Sequence, residues 1–314
     1  MPSLEWDDLD RSVLRALSSI QSQTERALLL AYTEALKEIR EELSRLYEKL
    51  KDPDGKLTFA EMTKYNRLTG LDEQISGIMG RAYDVAVGEL DRLPAEMYDA
   101  SFFRYAWAFD QNARVSLRWG VLDPGAVGDI IRNPLDLIAK DSLSVDTRNR
   151  IRRAISQGLL QGKSFPQMAR GVREAMANNA YQAIRIARTE GQRAQSAGTY
   201  AAYEKARANG IQGGDKWDAT LDGRTREDHR KMDGKSRRDD GLFHLPNGET
   251  ARYPVDPGLS AGQAINCRCR LRFEIEGYAP QLRRSRESGV IPYTTYDEWE
   301  RGLDSRGKYN PDAA

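Results

Sequence analysis

The sequence predicts an α+β protein, with a mostly helical N-terminal and central region followed by a small C-terminal β-containing module. Three observations predict it. Apolar residues recur at steps of three and four through the first two thirds of the chain. Strict alternation of apolar and charged residues comes late, from Cys267 to Ile275. Between those regions, Gly213-Gly214, Asp233-Gly234 and Pro246-Asn247-Gly248 supply turn chemistry.

From about Asp7 to Leu50 the chain reads as helix. Leu28, Tyr32, Ala35, Ile39, Leu43, Leu46 and Leu50 form one apolar stripe, with Glu38, Arg40, Glu41, Glu42, Arg45 and Glu48 on the other faces. Such a stripe packs on a neighbouring helix or docks a partner, and the sequence leaves both open. Asp52-Pro53-Asp54-Gly55 ends the helix. A short element follows between Lys56 and Leu68, then a helix from about Leu71 to Leu90. Tyr98, Phe102, Phe103, Tyr105, Trp107, Phe109 and Trp119 are expected to form the middle of an N-terminal core, because aromatics bury large areas. Pro124, Gly125, Gly128 and Pro134 mark a connecting region.

Three helices are expected next. The first covers about Thr147 to Leu160, with Ile151, Ile155 and Leu159 in register. The second opens at Ser164-Phe165-Pro166-Gln167, a capping box with Pro near the first helical position, and buries Met168, Val172 and Met176. The third runs from about Asn179 to Asn209. Gly210 suits its C-terminal cap, and Ile211 the contact that follows. Ala183, Ala187, Gly191, Ala194, Gly198 and Ala201 form a row of small residues along it, suited to close helix packing, with a kink expected at Gly191. In the last part, Lys216 to Thr220 reads as a strand, Thr225 to Met232 as helical turns, and Leu242 to Tyr253 as a hairpin. Cys267 to Ile275 reads as a strand with Arg268, Arg270, Arg272 and Glu274 on its polar side.

Composition narrows the function classes. The 314 residues are 39% hydrophobic, enough for a lean core, and 48 basic against 47 acidic side chains leave a formal net charge of +1. The whole chain therefore lacks the basic excess of a dedicated nucleic-acid binder. Two cysteines one residue apart do not make a disulfide-stapled secreted domain, and a reducing compartment fits them better. Met1-Pro2-Ser3-Leu4-Glu5-Trp6 lacks the basic and apolar regions of a signal peptide. No apolar run approaches the roughly 20 residues of a membrane span, so no membrane partner is expected.

One ordered set of motifs carries more. Arg188-Thr189-Glu190 lies in a long helix ending at Asn209-Gly210-Ile211. Trp217-Asp218-Ala219-Thr220 follows, then Asp222-Gly223-Arg224-Thr225-Arg226, His229, Asp233-Gly234 and finally Asn266-Cys267-Arg268-Cys269. In this order and spacing the chain resembles the Mu F-like family of phage head-morphogenesis proteins. The segment from about Ser142 to Ile275 carries the resemblance. Ile291-Pro292-Tyr293 and Tyr296-Asp297-Glu298-Trp299 resemble the family's C-terminal extension. The resemblance implies a minor head protein of a tailed bacteriophage, acting in procapsid assembly, located in the phage head and, during assembly, in the host bacterial cytoplasm. It also implies the portal protein, capsid or scaffold proteins and packaged double-stranded DNA as partners. The domains expected on this basis are 1–140, a helical docking or assembly region; 141–276, the head-morphogenesis domain; and 277–314, a C-terminal extension.

The motif residues admit several chemistries. Asp222, His229 and Asp233 are an acid/base set on paper, with Arg224 and Arg226 as a phosphate clamp, and a phage-derived nuclease or transferase using the Asp222/His229 region is the alternative function. The preferred reading is a structural network without catalysis, in which Arg224, Arg226 and His229 pair with Asp218, Asp222 and Asp233. Arg188, Glu190, Trp217, Cys267 and Cys269 belong to the same motif set. The spacing of Cys267 and Cys269 sends both thiols to one side of a strand. His229 makes a third zinc ligand and Asp222 or Asp233 a weaker fourth. The resemblance implies a Cys-X-X-Cys in some members where this chain has Thr225 and Arg226 through His229. The set is thus incomplete, and no cofactor is the first reading, with buried thiols acting as small hydrophobes and zinc on His229, Cys267 and Cys269 as the alternative. Between Asp146 and Gly213, twelve basic residues face four acidic ones. Arg148, Arg152, Arg153, Arg185 and Arg193 are the candidates there for non-specific DNA contact.

Overall fold

The first helix, α1 (Trp6–Leu50), follows the apolar stripe through twelve turns and stops before Asp52. The structure is a computed structural model that describes residues 6–54, 56–113, 119, 134–276, 281–304 and 308–310, with Ala113 and 134–145 described by backbone alone. Residues 1–5, Gly55 of the expected turn, and Pro124, Gly125 and Gly128 of the expected connector lie outside the described residues. Beyond α1 come α2 (Phe59–Thr63), α3 (Arg67–Ala113), α4 (Pro134–Leu160) and α5 (Phe165–Ala208). The strands come after them: β1 (Gly213–Asp218), β2 (Phe243–His244), β3 (Thr250–Ala251), β4 (Arg270–Ile275), β5 (Leu282–Ser285) and β6 (Gly289–Pro292). Short helices α6 (Glu227–Met232), α7 (Ala261–Ala264) and α8 (Tyr296–Arg301) connect or follow them. The fold class is therefore the expected α+β. Among the described residues no helix is long and apolar enough to cross a membrane.

Two expected breaks are absent. A single helix, α3, runs past Leu90 and through Pro94 to Ala113. Likewise α5 takes in both the second and the third expected helices and continues through Gly191. Its start uses half of the capping box, with Gln167 Oε1 accepting from the Ser164 backbone N–H at 3.0 Å. Its end is a Schellman cap: Gly210 takes φ +89°, its N–H donates to the Arg207 carbonyl at 2.9 Å, and the Ile211 N–H donates to Ala206 at 3.1 Å.

The described chain gathers into two units. One is drawn from Ser22–Leu93 and Arg132–Ala187. Its core takes Leu28, Tyr32, Ala35, Ile39 and Leu43 from α1, and the stripe closes on buried Tyr47 while Leu46 and Leu50 stay half-buried. The Tyr47 hydroxyl donates to the Lys163 carbonyl at 2.8 Å, and its ring meets Phe165 edge-on at 5.6 Å. Ile151, Ile155, Leu159, Met168, Val172 and Met176 are buried as their spacing required. Because the α1 stripe is buried in the chain's own core, it is not the docking surface that was the other sequence reading.

The second unit is drawn from Met1–Gln21, Pro94–Ile131 and Arg188–Ala314. Its centre is an aromatic cluster of Trp6, Tyr105, Phe109, Tyr203 and Phe273. Ring centroids lie 4.8 Å apart for Trp6–Phe109 and 5.2 Å apart for Tyr203–Phe273. Tyr98, Phe102 and Tyr105 are buried as expected, whereas Phe103 and Trp107 point outward at 50% and 45% exposure. β1 and β4 pair antiparallel, with Trp217 opposite Leu271 and Asp218 opposite Arg270. The β2–β3 and β5–β6 pairs are separate antiparallel ladders. Leu221, Ile291, Tyr296 and Trp299 form a further small core that brings residues beyond 276 onto the module.

Gly198 of α5 sits against α3 so closely that a Cβ there would lie 2.4 Å from the Tyr98 carbonyl oxygen. Gly198→Ala should therefore lower unfolding free energy by about 1–3 kcal/mol through overpacking. In the exposed α3 site Gly77, where an added Cβ meets nothing within 4 Å, Gly77→Ala should raise it by about 0.5–1 kcal/mol. Urea unfolding of the two variants beside the parent chain tests both signs.

Candidate functional site

The β1–β4 register places Asp218 directly opposite Arg270, so the polar side of the ladder begins with an ion pair. Arg270 also reaches back to α1, its Nη1 donating to Asp10 Oδ2 at 2.7 Å, and the Tyr105 hydroxyl donates to the other Asp10 oxygen at 2.7 Å. Arg283 of β5 enters from the opposite side. Its guanidinium lies 2.9 Å from Asp218 Oδ1 and donates to both Asp233 oxygens, at 2.6 and 2.8 Å. It also donates to the carbonyls of Thr294, at 2.7 Å, and Ala219. The result is one alternating chain, Asp10–Arg270–Asp218–Arg283–Asp233. Its members other than the partly covered Arg270 are less than a tenth exposed.

Asp233 fills its remaining valence with backbone, accepting from the Ala219 N–H at 2.8 Å and from the Tyr296 N–H at 2.7 Å. Burial alone would push the Asp218 carboxyl up, but Arg270, Arg283 and Arg272 outweigh it and hold the group well below the ordinary carboxylate range. Asp222 is a second anchor. It pairs with Arg268 and accepts from the Arg224 N–H at 2.9 Å and the Thr225 hydroxyl at 3.3 Å. Burial opposes the charge there too, yet the Arg268 hydrogen bonds, the Arg224 N–H and Thr225 bring its pKa down to about 2. The Tyr296 hydroxyl donates to the Asp222 carbonyl at 2.9 Å, which fastens α8 to the same loop.

A third cluster sits beneath the ladder. His229 on α6 points its Nδ1 at both cysteine sulfurs, 3.4 Å from Cys267 Sγ and 3.3 Å from Cys269 Sγ. All three residues are at most 3% exposed. Trp217 covers the imidazole edge-on, with centroids 5.3 Å apart. The Cys267 thiol is pulled well below its ordinary value by hydrogen bonding with Cys269 and by His229, while burial pushes Cys269 up. From α5, Gln192 donates to the Cys269 carbonyl at 3.1 Å, and Thr189 Oγ1 accepts from the Asn266 N–H at 3.2 Å. Glu190 and Arg193 form a buried pair one turn apart, 2.8 Å from Nε to Oε2.

The sequence placed the right carboxylates but the wrong cations. Arg224 serves Asp222 through its backbone, Arg226 donates to the Ile265 carbonyl, and His229 faces sulfur. Bracing comes instead from Arg268 and Arg270, and from Arg283 in a segment read only as an extension. The charged side of the strand at 268 and 270 was visible as alternation, but nothing in the sequence paired it with Asp10. Asp222 and Asp233 are bound by arginines and stay out of the thiol cluster, which removes them as zinc ligands. No hydrogen bond joins His229 to either carboxylate among the described residues, so the Asp222/His229 acid/base set is not assembled. Arg188 is exposed and Arg193 is 3% exposed, which withdraws Arg193 from the DNA-contact set, whereas Arg148, Arg152, Arg153 and Arg185 are exposed. Arg152 pairs with Asp72 at 2.8 Å.

The C-terminal part of α5 packs with an ion-paired β-module whose carboxylates Asp218, Asp222 and Asp233 are committed to arginines. The Phage Mu protein F like protein description matches residues 149–272, inside the segment that carried the resemblance. The chain is 33% identical over 293 residues to the minor head protein GP7 of Bacillus phage SPP1, covering 91% of this chain and 94% of that protein. It thus belongs to the Mu F-like family, as a phage minor head protein of head morphogenesis. It is also 28% identical over 296 residues to a protein of Enterococcus faecalis named as an NAD(+)–arginine ADP-ribosyltransferase. That match spans 91% of this chain but only 59% of the enterococcal protein's length. No solved structure matches the chain.

Arg283→Met should strand Asp218 and Asp233 as buried charges without their shared partner, costing about 3–5 kcal/mol in urea unfolding at neutral pH. A loss under about 1 kcal/mol would mean that the pairs behave as solvated surface pairs. The folded pKa values of Asp218 and Asp222 lie below the unfolded value of about 3.9, so the stability they contribute is present above that pH. It should be lost progressively as pH falls from about 4 towards 2, the folded value for Asp222. Circular dichroism melts along that pH series check it.

Proposed function

We propose that this chain works without catalysis, as a low-copy structural component that joins the procapsid through the portal and touches the packaged DNA. The observation that carries the reading is the 33% identity with a phage minor head protein along nine tenths of both chains. The site geometry supports the non-enzymatic part. Asp222 and His229 are each 1% exposed, and each is engaged with a different partner set, so neither faces a substrate. The transferase named for the enterococcal relative belongs to a protein about two fifths of which lies outside the match.

Portal, capsid and scaffold proteins are the proposed partners, with assembly in the host cytoplasm and residence in the phage head. For DNA, Arg148, Arg152 and Arg153 of α4 and Arg185 of α5 are exposed arginines of one unit. Arginine offers a planar donor fork to phosphate, and phosphate contacts of this kind carry no sequence preference.

Co-expression with the portal protein of the same phage, followed by affinity purification, should recover a complex. Procapsids made without the chain's gene should lack it and yield fewer viable particles. Failure of the chain to enter procapsids made in its presence would overturn the portal reading. Duplex DNA should shift the protein in a gel at low salt and release it at about 0.3 M salt, as counterion release requires. Replacing Arg148, Arg152, Arg153 and Arg185 with Glu should abolish the shift, and an unchanged shift would overturn the DNA assignment.

A further inference from the structure

We propose that His229, Cys267 and Cys269 bind a thiophilic divalent ion, zinc in the cell, with His229 Nδ1 and the two Sγ atoms as ligands. Nδ1 carries either one proton or one lone pair, so it makes one good hydrogen bond. Here it stands 3.4 Å from one sulfur and 3.3 Å from the other. A shared cation explains both distances at once. Zinc bonds of roughly 2.3 Å to sulfur and 2.0–2.1 Å to nitrogen in a tetrahedron separate N and S by about 3.5 Å. The three ligand atoms all lie within 4.8 Å of one another, and the three residues are buried.

The chemistry of the donors selects the ion. Two thiols and an imidazole favour zinc over calcium or magnesium, which want oxygen. The carboxylates that the sequence offered as a fourth ligand, Asp222 and Asp233, are held by Arg268 and Arg283 and are not in the cluster. Among the described residues no further His, Cys, Asp or Glu joins the group, so these three side chains supply three of the four positions zinc usually takes. Gln192 and Thr189 of α5 fix the backbone around the two cysteines, so the sulfurs are aimed before any ion arrives. Binding would tie α6 to the approach of β4 across the sequence separation of 38 from His229 to Cys267. The site would act in stability and not in turnover, because all three ligands are closed off from substrate.

The test uses the full-length chain purified without chelator from cells grown with added zinc. Elemental analysis should find about one zinc per chain. Stripping the ion and adding cobalt(II) chloride should give thiolate-to-cobalt absorption and the intense visible bands of a tetrahedral site, both quenched by zinc chloride. Stripping alone should lower the melting temperature, and zinc chloride should restore it. The variant with Cys267 and Cys269 both replaced by Ser should lose the zinc and the cobalt bands. If that variant fails to fold, the cobalt spectrum of the parent chain still decides. Absence of zinc together with absence of thiolate–cobalt absorption would overturn the proposal, as would zinc retained by the double variant. So would a mass two hydrogens short, because the sulfurs would then be joined to each other. None of these outcomes bears on the portal or DNA assignments.

Discussion

The C-terminal module depends on five side chains, the buried Asp10, Asp218, Arg283 and Asp233 and the partly covered Arg270, linked in alternating charge. Each taken alone would be expensive to remove from water; together they satisfy one another and several backbone groups. Such a lattice adds little net stability over an apolar core of the same volume, but it tolerates few alternatives. A shift of the β1–β4 ladder by one residue would move Asp218 off Arg270 and leave unpaired charges in the interior. The lattice therefore fixes register in a module whose ladders are only two strands wide.

The thiol cluster and the ion-pair chain share a small region without sharing partners. The strand alternation separates them: Cys267 and Cys269 face the imidazole on one side, while Arg268 and Arg270 face carboxylates on the other. Trp217 serves the sulfur side of the same ladder on which Asp218 serves the charged side. One face of the ladder can thus change chemistry without disturbing the other. The charge lattice shares no side chain with the sulfur side.

Much of this was legible from residue order. The α1 stripe, the Gly210-Ile211 cap, the alternation into β4 and the motif order from Arg188 to Cys269 each rest on short-range patterns, and short-range geometry follows from them. The continuous helices were harder to read. Pro94 inside α3 and the Asn178-Asn179 stretch inside α5 weaken local helix preference, and only packing against neighbours carries the helix through. The true counter-ions were hidden because pairing at long range leaves no periodic trace. Arg283 looked like one of several basic residues in a tail, and Asp10 like an ordinary acid in a first turn. The exposure of Phe103 and Trp107 was likewise hidden by the aromatic richness of the whole segment.

The ion pair between Asp10 and Arg270 spans 260 positions, and Arg283 lies further still along the chain. On the ribosome, the start of α1 emerges long before either arginine has been made. During that interval Asp10 has no interior to enter and stays solvated, with Trp6 lacking the Phe273 carbonyl that receives its indole N–H at 3.2 Å. This unit of the protein therefore assembles late, once Arg270, Phe273 and Arg283 have been translated, and a chain that ends before them carries helices whose aromatic faces have nothing to close over them.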